Sequence, residues 1–384
     1  MPDTEGGGKS IRMMNWLAYL SSQYKQVYCV YFYSGKIVPR AMDNLPENIL
    51  FIPIGLISVH PVLSFLRRSV IGMVKPYLYS LYWYEKIKKE DLKTLYSLCK
   101  KTDAVLIFRL YLFPVLMQLK NDIKVSTRIA IDMDDAETDT YDQVIHSEWK
   151  KRLYKKWLVS SMGRYYMHWY EQHIPQSVNK MYYSNPLDVE KYKSRYSEQE
   201  ILHFPNKVPS IEWKESNLAR MEDTILFVGS LNYHPNEDAI YFLIKDIWPR
   251  ILYKKKNAKL IIAGSKPGKD IKDLIHHTGS VSLVENPGVI KEVFDKASIL
   301  IVPLRLAGGT RIKVLQAFAY GVPVVSTSIG VTGLDVRHNE TGMIGDDAAV
   351  LADYCIHLLN DPPGMRTLAK NAHDFYTKYH SFHI

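Results

Sequence analysis

The sequence is poor in cysteine and has no long apolar run. Its three cysteines, Cys29, Cys99 and Cys355, are far apart in the 384 residues. This number and spacing fit neither a disulfide framework nor a zinc site, so we expect the chain to work in a reducing cytoplasm. The most apolar candidate for a membrane span, residues 49–66, is interrupted by two prolines and a histidine. The polar, glycine-rich N-terminus is unlike a secretory signal. These absences argue that the chain is neither a disulfide-stabilised extracellular protein nor a membrane-spanning protein.

The composition is that of a globular protein large enough for two domains. Hydrophobic residues make up 47% and charged residues 23% of the chain, an ordinary balance. The net charge is +9, and residues 1–200 contain 28 Lys and Arg against 21 Asp and Glu. We therefore expect the N-terminal half to meet an anionic membrane or an acidic acceptor. We do not expect a nucleic-acid partner, because the basic clusters lie within amphipathic helices and no known binding module is present.

Short apolar strands alternate with helical segments along the whole chain, which predicts an α/β fold with parallel sheets. The pattern breaks near residues 205–222 and restarts at Thr224. We predict two Rossmann-like, doubly wound domains, followed by a helix that packs back on the first domain. The predicted boundaries are 1–205 for the acceptor-side domain, 206–370 for the donor-side domain and 371–384 for the helix.

The strongest functional signal lies in residues 300–328, which read as a buried strand, a glycine turn, a short helix and a second buried strand. Gly308, Gly309 and Thr310 form the turn, and Thr310 is the predicted N-cap of a helix over residues 311–320. A helix N-terminus at the carboxyl end of a parallel strand is a site for anions, because its backbone N–H groups point outward.

Two cations strengthen this interpretation. Arg311 and Lys313 fall in the first turn of the predicted helix, where the helix dipole alone would favour carboxylates. Their presence indicates a ligand that carries phosphate. The alternative, a plain turn whose glycines only allow tight packing, does not explain the cations.

Two weaker glycine motifs accompany this one. Gly229 and Ser230 end a buried strand at the start of the second half, where a diphosphate could approach the backbone; a simple turn is an equal alternative. Gly7 and Gly8 precede a helix that contains Arg12. Such loops normally follow a strand, and none precedes this one, so we expect the first strand of the N-terminal domain to be missing. A flexible N-terminus is the alternative.

An acidic group follows a predicted strand near residue 132. Asp134 and Asp135 belong to a cluster of carboxylates that could bind a metal or act as a base. The alternative is that one of them caps the next helix.

Residues 149–158, with the sequence WKKRLYKKWL, predict one amphipathic helix with Trp149, Leu153, Trp157 and Leu158 on one face and cations on the other. Such a helix can lie in a membrane interface. An ordinary surface helix with a solvated basic face is the more common alternative.

Taken together, these motifs resemble the GT-B glycosyltransferases of the large retaining family 4, the glycosyl transferases group 1. The resemblance covers nearly the whole chain and is most specific between Ile225 and Gly333. Its segments there are FVGSLNYHPNEDA, LIIAGSKP and VPLRLAGGTRIKVLQAFAYGVPVVSTSIGVTGL, and in the first half GGxxxR, IDMDD, YSNPLD and FPNKV.

The resemblance implies two Rossmann-like domains that face a central cleft and a UDP- or GDP-linked sugar as donor substrate, with no metal and no cofactor. It implies transfer with retention of configuration to a saccharide or lipid-linked saccharide, for a cell-surface polysaccharide, in the cytoplasm or at the inner face of the cytoplasmic membrane. The catalytic candidates are Asp134, Asp135 and Arg311. The donor-binding candidates are Gly7, Gly8, Gly229, Ser230, Pro287, Gly288, Val289, Gly308, Gly309, Thr310, Arg311, Lys313 and Gln316.

The sequence departs from the family at one residue of its EX7E pair, which falls on Gly308 and Gln316. Glycine is common at the first position, but Gln316 replaces the glutamate that is expected to hold the donor ribose, and glutamine makes a weaker hydrogen bond. Two alternative functions therefore remain: an impaired partner subunit that binds donor without turnover, and a nucleotide-sugar epimerase of the same architecture.

Overall fold

The computed structural model describes residues 8–33, 46–55, 87–134, 136–150, 152–196, 199–213, 223–306 and 310–382. These residues form two compact units. The first runs from Tyr19 to Pro205, and the second contains the chain from Asn206 onward together with the N-terminal residues up to Ala18.

The first unit contains two parallel sheets. Strands β1 and β2 form a pair, and strands β3 to β6 form a four-stranded sheet in chain order. The bounds are β1 (Val27–Tyr33), β2 (Ile49–Gly55), β3 (Ala104–Phe108), β4 (Arg128–Asp134), β5 (Lys180–Tyr183) and β6 (Glu200–His203). The helices are α2 (Lys89–Cys99), α3 (Phe113–Leu119), α4 (Glu137–Lys150), α5 (Tyr154–His173) and α6 (Pro186–Arg195), and α1 (Gly8–Gln23) contributes residues to both units.

Local sequence determines where α6 begins. The Asn185 side chain accepts a hydrogen bond from the Leu187 N–H at 3.0 Å, and Pro186 occupies the first helical position. Asp188 in the first turn and Arg195 in the last turn both complement the helix dipole.

The second unit is built on a six-stranded parallel sheet with the order β10-β9-β8-β11-β12-β13, and a short parallel pair, β14-β7, accompanies it. The strands are β7 (Val208–Pro209), β8 (Thr224–Val228), β9 (Lys259–Gly264), β10 (Val281–Glu285), β11 (Ile299–Val302), β12 (Val324–Ser326), β13 (Met343–Ile344) and β14 (Ser381–Phe382). The helices are α7 (His234–Phe242), α8 (Trp248–Lys254), α9 (Lys269–His276), α10 (Ile290–Phe294), α11 (Ile312–Ala319), α12 (Ala348–Asn360) and α13 (Pro362–Tyr379), and a π-helical turn, Leu243–Ile247, joins α7 to α8.

The central strands of this sheet are buried on both faces. Every residue of β8 and of β11 is buried, which explains why both segments are continuous apolar runs rather than alternating ones. The predicted α/β fold with parallel sheets in both halves is confirmed.

The strand order creates a switch point beside β8. From β8 the chain adds β9 and β10 on one side and then returns to place β11 on the other side of β8. The connections that follow β8 and β11 therefore leave the sheet in opposite directions. In open parallel sheets, ligands bind in the crevice at the carboxyl ends of such strands.

The start of the chain differs from the predicted boundary of the first domain at residues 1–205. The described residues up to Ala18 group with the second unit, because Ile11 belongs to its hydrophobic core and Arg12 donates a hydrogen bond to Asn206.

The C-terminal segment that we predicted as a separate helix at 371–384 also belongs, as far as it is described, to the second unit. There α13 contacts α11 and α12, and the Tyr376 hydroxyl donates to the Pro209 carbonyl at 2.6 Å.

Candidate functional site

The loops after β8 and β11 meet at the switch point. Lys313, in the first turn of α11, donates a hydrogen bond from Nζ to Asn236 Oδ1 at 2.9 Å. The Asn236 amide nitrogen in turn donates to the Ser230 carbonyl at 2.9 Å. A Cβ atom on Gly229 would lie 2.6 Å from Asn236 Nδ2 and 3.0 Å from Lys313 Nζ. Position 229 must therefore be glycine for these groups to approach one another. Asn236 was not among the site residues predicted from the sequence.

Lys313 is a partly buried cation. Its ammonium lies 4.7 Å from the centre of the Phe227 ring, and in the described part of the chain it forms no ion pair. Burial, and then the charge of Arg311, lower the pKa of Lys313 from 10.5 to about 7. Burying an uncompensated charge is costly. The ammonium of Lys313 is therefore destabilised in the free protein, and a bound anion would stabilise it.

The turn before α11 differs from the prediction in one respect. The helix spans Ile312–Ala319, within one residue of the predicted bounds, but Arg311 and not Thr310 occupies the N-cap position, with no side-chain cap. The Thr310 hydroxyl instead accepts a hydrogen bond from Asn206 Nδ2 at 2.5 Å. The Arg311 side chain therefore does not cap the N–H groups at the start of α11. Gly308 and Gly309 lie outside the described residues.

A buried polar chain supports this turn from behind. Asn206 Oδ1 accepts from Arg12 Nη1 at 2.7 Å, and both residues are buried. Since Asn206 also donates to Thr310, the chain Arg12–Asn206–Thr310 connects α1 to the start of α11. Gly8 is close as well, because a Cβ atom placed on it would lie 3.5 Å from Ile312; Gly7 lies outside the described residues. The sequence motifs contained Arg12 and Asn206 but gave no sign that the two residues meet.

A second anchor holds the loop after β11. The Arg305 guanidinium donates two hydrogen bonds of 2.9 Å to the buried carboxylate of Asp238 on α7. The same guanidinium lies 4.5 Å from the centre of the Phe242 ring. This pair could not be predicted from the sequence, because residues 67 positions apart carry no local signal. The pair fixes the described part of this loop, up to residue 306.

The remaining donor-binding candidates lie farther along the same sheet edge or within the helix. Pro287, Gly288 and Val289 follow β10, two strands away from β8. At ~4.8 Å per strand, this places them about 10 Å along the edge, a span suited to an extended ligand. Gln316 is buried within α11.

The acidic candidate belongs to the first unit. Asp134 ends β4 and is ion-paired with Arg109, and both residues are buried. Both also have positive φ angles, 57° for Asp134 and 78° for Arg109, which are unusual for residues other than glycine. Ser184 Oγ donates to the Asp134 carbonyl at 2.8 Å. Asp135 lies outside the described residues. No group of three or more metal-ligating side chains occurs among the residues that the structure describes.

The predicted amphipathic helix over residues 149–158 is wrong as a single element. Helix α4 ends at Lys150 and α5 begins at Tyr154, with Arg152 between them at a φ of 58°. In the described ranges, no helix is long and apolar enough to cross a membrane.

Comparisons with known proteins agree with this picture of the second unit. Residues 222–361 match the family Glycosyl transferases group 1. An uncharacterised 44.6 kDa protein of the cps region of Klebsiella pneumoniae is 28% identical over 158 residues, which cover 39% of this chain and 41% of that protein. An uncharacterised glycosyltransferase of Methanocaldococcus jannaschii is 34% identical over 128 residues, which cover 32% of this chain and 31% of that protein. The matches thus span less than half of either curated relative.

Solved structures resemble nearly the whole chain. The sucrose-phosphate synthase of Thermosynechococcus elongatus superposes with a TM-score of 0.70 at 17% identity, covering 98% of this chain and 90% of that one. Anabaena Alr3699/HepE, solved with UDP and glucose, gives a TM-score of 0.63 at 10% identity, covering 99% and 94%. The chain has the GT-B fold that the sequence predicted, and its residues 222–361 match the family Glycosyl transferases group 1.

Proposed function

We propose that this protein is a glycosyltransferase that binds a UDP- or GDP-linked sugar at the switch point between β8 and β11. It transfers the sugar, with retention of configuration, to a saccharide or lipid-linked saccharide acceptor. The proposal needs neither a metal nor a cofactor.

One observation carries the proposal: among the residues that the structure describes, the partly buried Lys313 forms no ion pair with a carboxylate, and it lies in the first turn of α11, where Arg311 makes no side-chain cap. A nucleoside diphosphate provides the missing negative charge. Arg311, two positions before Lys313, acts on it through its charge and adds to the attraction. Gly229 lets the Lys313 ammonium lie against the backbone at the end of β8, and the sheet edge toward residues 287–289 would receive the nucleoside.

The same groups favour departure of the diphosphate. As the bond between the sugar anomeric carbon and the distal phosphate oxygen breaks, negative charge develops on that phosphate. Fixed N–H groups and cations stabilise such a charge most when they are already in place. In the proposed reaction the acceptor oxygen bonds to the anomeric carbon on the face that the phosphate leaves, and the acceptor proton passes to the departing phosphate oxygen. Asp134 and Asp135 remain our candidates on the acceptor side.

Relatives suggest the pathway. One curated relative is encoded in a cps region, and a solved neighbour with a TM-score of 0.60 and 14% identity, WaaG, is a glycosyltransferase involved in lipopolysaccharide biosynthesis. We infer that the product belongs to a cell-surface polysaccharide and that the protein works at the cytoplasmic face of the membrane.

Calorimetric titration with UDP- and GDP-sugars tests the proposal, with the variant Arg311→Ala plus Lys313→Ala. We expect the wild type to bind one class of donor and the variant to lose that binding while keeping its fold. A matched control, Arg250→Ala plus Lys254→Ala, removes two exposed cations of the same unit and should bind normally. Equal donor affinity in the wild type and the site variant would refute the phosphate site.

Donor turnover then separates the alternatives. Slow hydrolysis of the bound donor, or transfer to an acceptor, supports the glycosyltransferase. Binding with neither reaction identifies a partner subunit, and interconversion of free nucleotide sugars identifies an epimerase.

A further inference from the structure

We propose that residues 149–170 of the first unit dock this protein onto a lipid bilayer that contains anionic phospholipids. We call these residues the aromatic–basic segment. It consists of the end of α4, a short turn and most of α5, and it lies outside the candidate donor site.

The turn brings aromatic side chains together on the surface. Leu153 N–H donates to the Glu148 carbonyl at 2.9 Å, which closes the turn between the helices. The Trp149 ring centre then lies 5.6 Å from that of Tyr154 and 5.3 Å from that of Trp157. Three aromatic rings therefore form one cluster, although their helices are separate.

This cluster is exposed. Trp149 is 55% exposed, Tyr154 56% and Leu158 51%, and Leu153 is exposed as well. Single exposed apolar residues are common on proteins, but several that are contiguous mark an interaction surface. Trp and Tyr are also the residues that favour the boundary between lipid headgroups and acyl chains.

The charge of the segment identifies the partner. Residues 149–170 contain six Lys and Arg and no Asp or Glu, and one of these cations, Arg164, pairs with Asp142 of α4. A basic segment with exposed Trp and Leu matches a surface that presents anionic headgroups above an apolar layer.

Two other partners fit less well. A symmetric dimer through this segment would bring two copies of the same basic sequence together, because a two-fold interface pairs a patch with itself. A nucleic acid would satisfy the cations, but phosphate and base contacts leave the exposed leucines unused.

Co-sedimentation with vesicles tests the proposal on the full chain. We expect binding to vesicles that contain phosphatidylglycerol, weaker binding to pure phosphatidylcholine, and a loss of binding as salt is raised. Lys155→Gln plus Lys156→Gln should lower the partition coefficient about fivefold for each charge removed. Trp149→Ala plus Leu158→Ala should lower it by about tenfold or more by removing apolar contact.

The second unit provides matched controls. Tyr253 is exposed, and it is followed by Lys254, Lys255 and Lys256, of which Lys254 and Lys255 pair with carboxylates. Tyr253→Ala and Lys254→Gln plus Lys256→Gln should leave vesicle binding unchanged. Circular dichroism should show that every variant is folded.

Three results would overturn the proposal. The wild type fails to bind anionic vesicles, or the control variants lose as much binding as the segment variants. The segment variants keep vesicle binding but lose binding to a DNA or RNA duplex, which would make the surface a nucleic-acid site. Sedimentation shows a dimer that the segment variants abolish, with no difference in vesicle binding.

Discussion

Replacing Lys313 with methionine should weaken donor binding without destabilising the fold. Methionine keeps much of the side-chain volume but removes the ammonium that bonds to Asn236 and faces Gly229. A hydrogen bond between a charged group and its partner contributes about 1.5–3 kcal/mol, which corresponds to donor binding weakened by about tenfold to a hundredfold. Lys313→Arg, which stays charged at every accessible pH, should keep measurable binding.

The pH dependence of donor binding gives a sharper test of the same residue. Because the pKa of Lys313 is about 7 in the free protein, the ammonium is largely lost above that pH. A bound diphosphate stabilises the ammonium and raises its pKa. Donor affinity should therefore be constant below pH ~6 and fall by up to about tenfold per pH unit above pH ~7, because binding then takes up a proton.

Calorimetry in buffers of different ionisation enthalpy measures that proton directly. The ligand should be a sugar nucleotide, whose phosphates are diesters, because a phosphate monoester itself titrates near pH ~6. We expect uptake of about half a proton at pH 7 and nearly one at pH 8 in the wild type, and none in Lys313→Met. Wild-type affinity that does not change between about pH 6 and pH 9 would refute this account of Lys313.

Folding stability supplies an independent check. The pKa of Lys313 is lower in the folded protein than its ordinary value of 10.5. The unfolded chain therefore binds more protons between pH ~7 and pH 10.5, and this residue makes the wild type more stable as the pH rises through that window. In Lys313→Met this rise should be absent, and the variant should melt at a higher temperature than the wild type at neutral pH. A lower melting temperature would mean that Lys313 is chiefly a structural residue.

Three further predictions concern the residues around the site and the core of the first unit. Asn206→Ala should lower the free energy of unfolding by about 2–3 kcal/mol, because it leaves the buried Arg12 without one of its hydrogen bonds. It should also weaken donor binding. A stability loss below about 0.5 kcal/mol in urea unfolding would contradict the role of the polar chain. A double-mutant cycle of unfolding free energies with Arg305→Ala and Asp238→Ala should give a coupling energy of about 1–2 kcal/mol, because the partial exposure of Arg305 weakens the ion pair. A coupling energy near zero would show that the loop after β11 has another anchor. Burial raises the pKa of the Glu171 carboxyl, in α5, above its ordinary 4.5. Just above pH 4.5 the folded state therefore binds more protons than the unfolded chain, and the protein should lose stability as the pH rises. Glu171→Gln should remove this loss, and an equal dependence of melting temperature on pH in the two proteins would refute the prediction.

The sequence was enough to predict the second unit in outline. Strands β8 and β11 are continuous apolar runs, and such runs specify buried parallel strands without any help from distant residues. Helix α11 was found to within one residue, because Gly321 after it and the apolar spacing within it are local signals.

The contacts of the site could not be predicted in the same way. Asn236 reaches Lys313 across 77 positions, and Arg12 reaches Asn206 across 194. Such pairs depend on the order of the strands and on the packing of α1 in the second unit. The local spacing of apolar residues predicts neither of these features. The turn at Arg152 was missed for a different reason: the apolar spacing of residues 149–158 continues across it as if the helix were unbroken.

A crystal structure with UDP is the most direct test of the central claim that the N-terminus of α11 and Lys313 hold the donor diphosphate. We predict that the distal phosphate lies within hydrogen-bond distance of Lys313 Nζ and of a backbone N–H at residues 309–313, with the base extending toward residues 287–289. Ordered UDP elsewhere, with Lys313 still bonded only to Asn236, would contradict the account.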